Sequence, residues 1–145
     1  MVESVNVDEL SGALYDGIGL LARRLRLAPI PGDLTLPERS ALKRLERGGP
    51  ATAAALARAE QITPQAMGTT LAALEARGLV ERSPDPEDRR RVVMSLSEAG
   101  VERLRVRRGV RSRQLAEALE RDFEVGELET LLAAAPLIER LAERI

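Results

Sequence analysis

Residues Thr63 to Leu96 read TPQAMGTTLAALEARGLVERSPDPEDRRRVVMSL, and this stretch decides the fold. Thr63 marks a helix start: its hydroxyl can cap free N–H groups, and Pro64 suits the first helical position because its missing N–H is not needed there. Met67, Leu71 and Leu74 recur at i, i+4 and i+7, the spacing of a helix with one buried face. Gly78 follows as a left-handed stop. Leu79-Val80-Glu81-Arg82 is extended in character. The loop from Ser83 to Arg90 carries Pro84, Pro86 and a charge cluster, and Val92, Met94 and Leu96 alternate as a returning strand should. A capped helix running into a hairpin with an arginine-tipped loop predicts a winged helix.

Working outward toward the N-terminus, Thr52 caps a short Ala-rich helix over 53–59, and Glu60-Gln61-Ile62 turns into the central one. Thr35 and Glu38 stand in the capping-box relation ahead of a helix through Arg47, with Leu42 and Leu45 facing inward and Gly48-Gly49-Pro50 ending it. Short helices joined by a turn give helix-turn-helix spacing. Farther out, Val7, Leu10, Leu14, Ile18, Leu21 and Leu25 fall at spacings of three or four, predicting a long amphipathic helix over 7–27, closed by Pro29 and Pro31. Residues 1–6 carry no pattern and are expected to fray. On the other side, Ser97 caps a long helix to about Asp122, whose apolar face is interrupted by Arg108 and Arg111. A last helix starts near Val125, with Leu128, Leu132 and Ile138 on one side. Pro136 inside it should kink or unwind it locally. The apolar stripes at both chain ends admit two readings, a platform joining two copies of the chain or an extended bundle within one. The former is favoured, because the Val7 face has no compact partner in the sequence.

Composition excludes several classes. The chain of 145 residues suits one domain with a real core, and its 44% hydrophobic content argues against disorder. Tyr15 and Phe123 are the aromatic residues, so aliphatic side chains must fill the core, which favours helices. Cys and His are absent, which removes disulfides, thiol sensing of peroxide, Cys/His metal sites and nucleophiles or bases of those types. No motif for a carboxylate pair or an activated serine is visible, so no enzyme, cofactor or metal is expected. No apolar run approaches a membrane span and no signal peptide is apparent, so a cytoplasmic location is the expectation. The net charge is −1, but its distribution is uneven. Arg103, Arg105, Arg107, Arg108, Arg111 and Arg113 face Glu102 alone in one run, and Arg89-Arg90-Arg91 forms another. Lys43 is the one lysine. Guanidinium forks suit phosphate; for the excess as a whole, genomic base composition is the favoured explanation.

Leu74-Glu75-Ala76-Arg77-Gly78-Leu79-Val80-Glu81-Arg82, then Asp85-Pro86-Glu87-Asp88-Arg89-Arg90, then Ser95-Leu96-Ser97-Glu98-Ala99-Gly100 resembles, in order and spacing, the core of MarR-type transcriptional regulators. The resemblance implies a mainly α fold with a small β-hairpin wing. It implies one MarR-like domain over 1–145, with dimerisation helices at 7–28 and 97–145 and a winged helix-turn-helix over 35–96. It also implies a homodimer on double-stranded DNA with a palindromic operator, usually as a repressor relieved by a small aromatic or anionic effector. The alternative is a protein-interaction module that kept the winged fold and lost DNA binding.

Within that frame, Thr63, Pro64, Gln65, Gly68, Thr69, Ala73 and Arg77 are the expected DNA-facing residues of the central helix. Gln65 can pair bidentately with adenine, Thr69 can reach a base edge or a thymine methyl, and Gly68 permits close approach. The family often carries Arg or Lys near positions 69 and 73, where this chain has Thr69 and Ala73. Fewer phosphate contacts from this helix, and more readout from the wing, are therefore expected. In the wing, Asp88, Arg89, Arg90 and Arg91 are the candidates, with Asp88 resembling an acid that stiffens the loop while Arg90 reaches the minor groove. For an effector between the dimer helices and the winged region, the resemblance suggests Tyr15, Arg23 and Arg24, which could stack on or pair with an aromatic acid.

Overall fold

A computed structural model describes residues 4–145. In chain order the elements are α1 (Val7–Leu27), α2 (Leu36–Gly48), β1 (Ala51–Thr52), α3 (Ala53–Glu60), α4 (Pro64–Ala76), β2 (Val80–Pro84), β3 (Val92–Leu96), α5 (Glu98–Asp122) and α6 (Val125–Ala142). They form two compact units, Arg26–Gly109 and, separately, the residues up to Leu25 together with Val110–Ile145.

The Arg26–Gly109 unit is the winged helix. The Thr35 hydroxyl accepts the Glu38 N–H while the Glu38 carboxylate accepts the Thr35 N–H, the reciprocal box expected at the start of α2. Ala41, Leu42 and Leu45 of α2 pack with Leu56 of α3 and Met67, Leu71 and Leu74 of α4, all buried. Leu79, Val80 and Met94 close this core from the sheet, and Leu104 from α5. The sheet has three strands in the order β1-β3-β2, not the simple hairpin expected. Ala51 and Thr52 pair antiparallel with Met94 and Val93. The extra strand arises because an N-cap residue is itself extended: Thr52 sits at φ −74°, ψ 155°, capping α3 while pairing with β3. The β3 alternation is partial. Met94 is buried, but Val92 pairs with Pro84 at the outer end of the ladder and is exposed.

The start of α5 is locked to the end of α4. The Ser97 hydroxyl donates to the Gly78 carbonyl at 2.5 Å and accepts the Gly100 N–H at 3.0 Å, and the Ser97 N–H reaches the Leu79 carbonyl at 3.1 Å. Gly100 is there for space: a Cβ on it would lie 2.1 Å from the Leu79 oxygen, well inside contact distance.

The second unit is built differently. None of its described residues is buried. Asn6, expected to fray, instead caps α1 by accepting the Asp8 and Glu9 N–H groups at 3.0 and 3.2 Å; Met1, Val2 and Glu3 of that segment lie outside the described residues. Leu10, Ile18 and Leu21 of α1 are exposed. α6 runs unbroken through Pro136, so the local unwinding expected there does not occur. Proline withholds one N–H from the Leu132 carbonyl, and the flanking turns carry the helix past it. Leu132 is the more open of the apolar residues expected to share a side, at 76% exposure against 39% for Ile138, while Leu128 is half-buried.

Candidate nucleic-acid interface

Local chemistry fixes where α4 begins, ends and bends away from α3. The Thr63 hydroxyl accepts the Ala66 N–H at 3.1 Å, with Pro64 in the first turn. Gly78 stops the helix at φ 72°, and the Leu79 N–H returns to the Leu74 carbonyl at 3.0 Å. Between α3 and α4, Gln61 adopts φ 55°, ψ 41°, alone among described non-glycine residues in having positive φ. A left-handed residue costs about 1–2 kcal/mol. Here it makes the sharp turn of the helix-turn-helix, and the Ile62 N–H closes it on the Ala57 carbonyl at 3.0 Å.

With Met67, Leu71 and Leu74 turned inward, the outer face of α4 presents Gln65, Gly68, Thr69 and Ala73, all exposed. The Gln65 amide has no side-chain hydrogen bond among the described residues. Thr69 donates its hydroxyl to the Gln65 carbonyl at 3.1 Å, which leaves its methyl and oxygen lone pairs outward. A Cβ on Gly68 would meet nothing within 4 Å. The face is therefore smooth and uncharged, with one long amide at its N-terminal end.

Arg77, at the C-terminal end of α4, is tied to other parts of the fold. Its Nη2 donates to the Gly32 carbonyl at 2.7 Å and its Nη1 to Glu38 at 3.3 Å. Glu38 is 8% exposed, and a buried carboxylate needs such a partner. Two nitrogens of the Arg77 guanidinium are thus engaged within the fold, on a side chain that is 33% exposed. The arginine run on α5 is likewise divided. Arg103 also donates to the Gly32 carbonyl, at 3.1 Å, and Arg107 pairs with Asp33 at 3.0 Å with little exposure. Arg105 grips Glu102 through both Nε and Nη2, which holds that carboxyl below its usual pKa and raises the guanidinium's. The partners of Arg77, Arg103 and Arg107 were hidden because they lie far off along the chain, whereas Glu102 stands three residues from Arg105 on the same helix.

The wing tip divides its charges by task. Asp85 Oδ1 accepts the Glu87 N–H at 3.0 Å, and the Asp85 N–H donates to the Arg91 carbonyl at 2.9 Å, closing the loop. Asp88 Oδ1 accepts the Arg90 N–H at 3.1 Å, and its carbonyl accepts the Arg91 N–H at 2.9 Å. The Asp88 carboxylate lies 3.6 Å from Arg90 Nε and 3.8 Å from Arg91 Nε, too far for a good hydrogen bond. Asp88 thus holds the backbone of the loop more firmly than it holds either guanidinium. The Arg90 side chain is 95% exposed. Acids fold the tip, and arginines project from it. On α2 and β2, farther back, Arg44–Glu60 and Arg82–Glu75 pairs tie neighbouring elements together.

A family profile described as the MarR family matches residues 34–92. An uncharacterized HTH-type transcriptional regulator of Mycobacterium bovis is 36% identical over 123 residues, covering 85% of each chain. The protein belongs to the MarR family. This MarR-family chain also matches a crystal structure of a Pseudomonas aeruginosa protein assigned to transcriptional regulation. The TM-score is 0.79 at 31% identity, over 96% of this chain and 98% of that one. It shares its fold with a Thermotoga maritima transcriptional regulator, at TM-score 0.78, 18% identity, and coverage of 94% and 96%. Regulation of transcription, DNA binding and the winged helix come with membership. Among the described residues no helix is long and apolar enough to cross a membrane.

The effector candidates are not brought together by α1. Tyr15 is 82% exposed, and Arg23 and Arg24 are exposed as well. Nine helical steps of roughly 100° put Tyr15 and Arg24 about 180° apart around the axis. Tyr15 and Arg24 therefore stand on opposite sides of α1.

Proposed function

We propose that this MarR-family protein acts in the cytoplasm as a homodimeric repressor on a twofold-symmetric DNA operator, and that a small aromatic or anionic effector relieves it. The observation that carries the reading is the pairing of a smooth, unobstructed α4 face with a wing whose acids are used in the turn and whose arginines project. The face would lie in the major groove, with Gln65 and Thr69 at base edges and Gly68 and Ala73 allowing close approach. The α4 N-terminus at Thr63 and Pro64 would stand against a phosphate. Arg89, Arg90 and Arg91 would contact the backbone or the minor groove, with Asp88 setting the loop. The unburied apolar faces of α1 and α6 support dimerisation, since a second copy would cover them and present two recognition helices to two half-sites.

The test is binding of the full chain to duplex DNA from its own upstream region across a salt series. A saturable complex whose log affinity falls linearly with log salt is expected, each neutralised phosphate adding about 0.9 to the slope. No binding at low salt would overturn the reading. That result would favour the interaction module, for which the lack of a free basic group on α4 is the supporting observation.

A further inference from the structure

The α2 helix has a charged face that the DNA reading does not use. Ser40, Lys43, Arg44, Arg47 and Gly48, with Glu60 of α3, line an open cleft of about 380 Å³. The α2 residues stand at i, i+3, i+4, i+7 and i+8, so the helix period alone brings them to one side. Arg44 is already engaged: its Nε meets Glu60 at 2.8 Å and its Nη2 the Ala59 carbonyl at 3.3 Å. That pair cancels the one carboxylate of the cleft and fixes the Arg44 plane across its wall. Lys43 and Arg47 have no hydrogen bond or ion pair among the described residues, and the half-buried Ser40 hydroxyl has no hydrogen-bond partner there either. Arg39 and Arg107 add positive potential from the surroundings. Burial, and then Arg39, Arg107 and Arg47, pull the Lys43 pKa below its usual value, with Glu46 opposing. Crowded cations around a concave, donor-rich space are an arrangement that an added anion would relieve.

We propose that this cleft is a binding site for the phosphate group of a small molecule, contacted by Lys43 and Arg47 as cations and Ser40 as a neutral donor. A lysine, a guanidinium and a hydroxyl supply donors without an uncompensated acceptor, which suits a multiply charged tetrahedral oxyanion. The volume falls at the small end of ligand clefts, enough for a phosphate and a modest attached group. The proposal stands independently of the operator reading, since it uses none of the α4 or wing residues.

Because Lys43 is the one lysine, its ε-methylene signal in carbon-13 lysine-labelled full-length protein needs no assignment. Pyrophosphate is the probe, added at constant ionic strength. A saturable shift with one site per chain is expected, together with a rise in the Lys43 pKa on binding. Arg47→Gln should weaken pyrophosphate binding at least tenfold, and Ser40→Ala should weaken it less. Arg113→Gln, which removes the same charge elsewhere on the chain, should leave it unchanged. A shift that never saturates, or that matched chloride reproduces, overturns the proposal on the parent protein alone, whatever happens to the variants. So does equal weakening by Arg113→Gln. If pyrophosphate fails to bind but Arg47→Gln lowers duplex affinity and its salt slope, the face is a DNA-backbone contact and the small-molecule site is wrong.

Discussion

The Arg26–Gly109 unit and the unit formed by the two chain ends are both helical and both rich in leucine, yet they treat leucine in opposite ways. In the first, Leu42, Leu56, Met67 and Leu74 are fully enclosed. In the second, Leu10, Leu21, Leu131, Leu132, Leu137 and Leu141 remain exposed at 45% or more, with no described residue buried. Amphipathic spacing reports that a face will be covered, but not by what. The winged unit covers its faces with its own elements. The end helices carry the same signal, and under the proposed dimer their cover is a second copy.

The largest expected effect tests the first half of that contrast. Leu74→Ala should lower unfolding free energy by about 2–5 kcal/mol, measured by urea denaturation, because the removed methyls leave a cavity among Leu42, Met67 and Leu71. A change below the range would mean that the core is looser than its enclosure indicates. The second half is tested by Leu21→Asp combined with Leu132→Asp. Sedimentation should show loss of the dimer while the winged unit keeps its near-native hydrogen-exchange protection. An intact dimer in the double variant would move the proposed interface off these faces.

Smaller effects sharpen what the ordered unit does with DNA. Gln65→Ala should cost about 1–3 kcal/mol of discrimination between operator sequences, read by selection from a random pool, with less loss of general affinity. An unchanged preferred site would remove Gln65 from the readers. At the wing, Arg90→Ala should weaken binding across sequences and reduce the salt slope by about one. Asp88→Ala should also weaken binding although it deletes an acid, because the Arg90 N–H loses its acceptor and the tip loosens. Asp88→Asn keeps an oxygen for that N–H, so it should bind as well as the parent or better. Tighter binding by a folded Asp88→Ala variant would show that the carboxylate acts only as a repelling charge.

Local signals in the sequence were legible wherever one or two neighbouring residues determine the geometry. The Thr35–Glu38 box, the Thr63–Pro64 start and the left-handed Gly78 all appear where expected. The outward set on α4 followed from the inward one by the helix period. What lay beyond reach was long-range or very short. Arg77 meets Glu38 across 39 positions of chain, so that pairing could not be seen from its neighbours. β1 has two residues, too few to show a period. Asp88 was visible as a charge near Arg90, whereas its stronger hold on a backbone N–H depends on how the loop closes.

Gly100 carries a consequence for anyone seeking a hardier version of the protein. Replacing an exposed helical glycine by alanine commonly stabilises by roughly 0.5–1 kcal/mol, so such positions are natural first choices for thermostabilisation. Gly68, Gly100 and Gly109 all stand within helices, and a count of glycines treats them alike. Gly109 has open space around a new methyl, which makes it the safe choice. Gly68 is equally open, but a methyl there would trade operator contact for hardiness under the proposed docking. At Gly100 the methyl would strike the Leu79 carbonyl, prying apart the joint where Ser97 fastens α5 to the end of the recognition helix. An alanine scan meant to toughen the protein would there instead loosen the contact that holds the start of α5 to the end of α4.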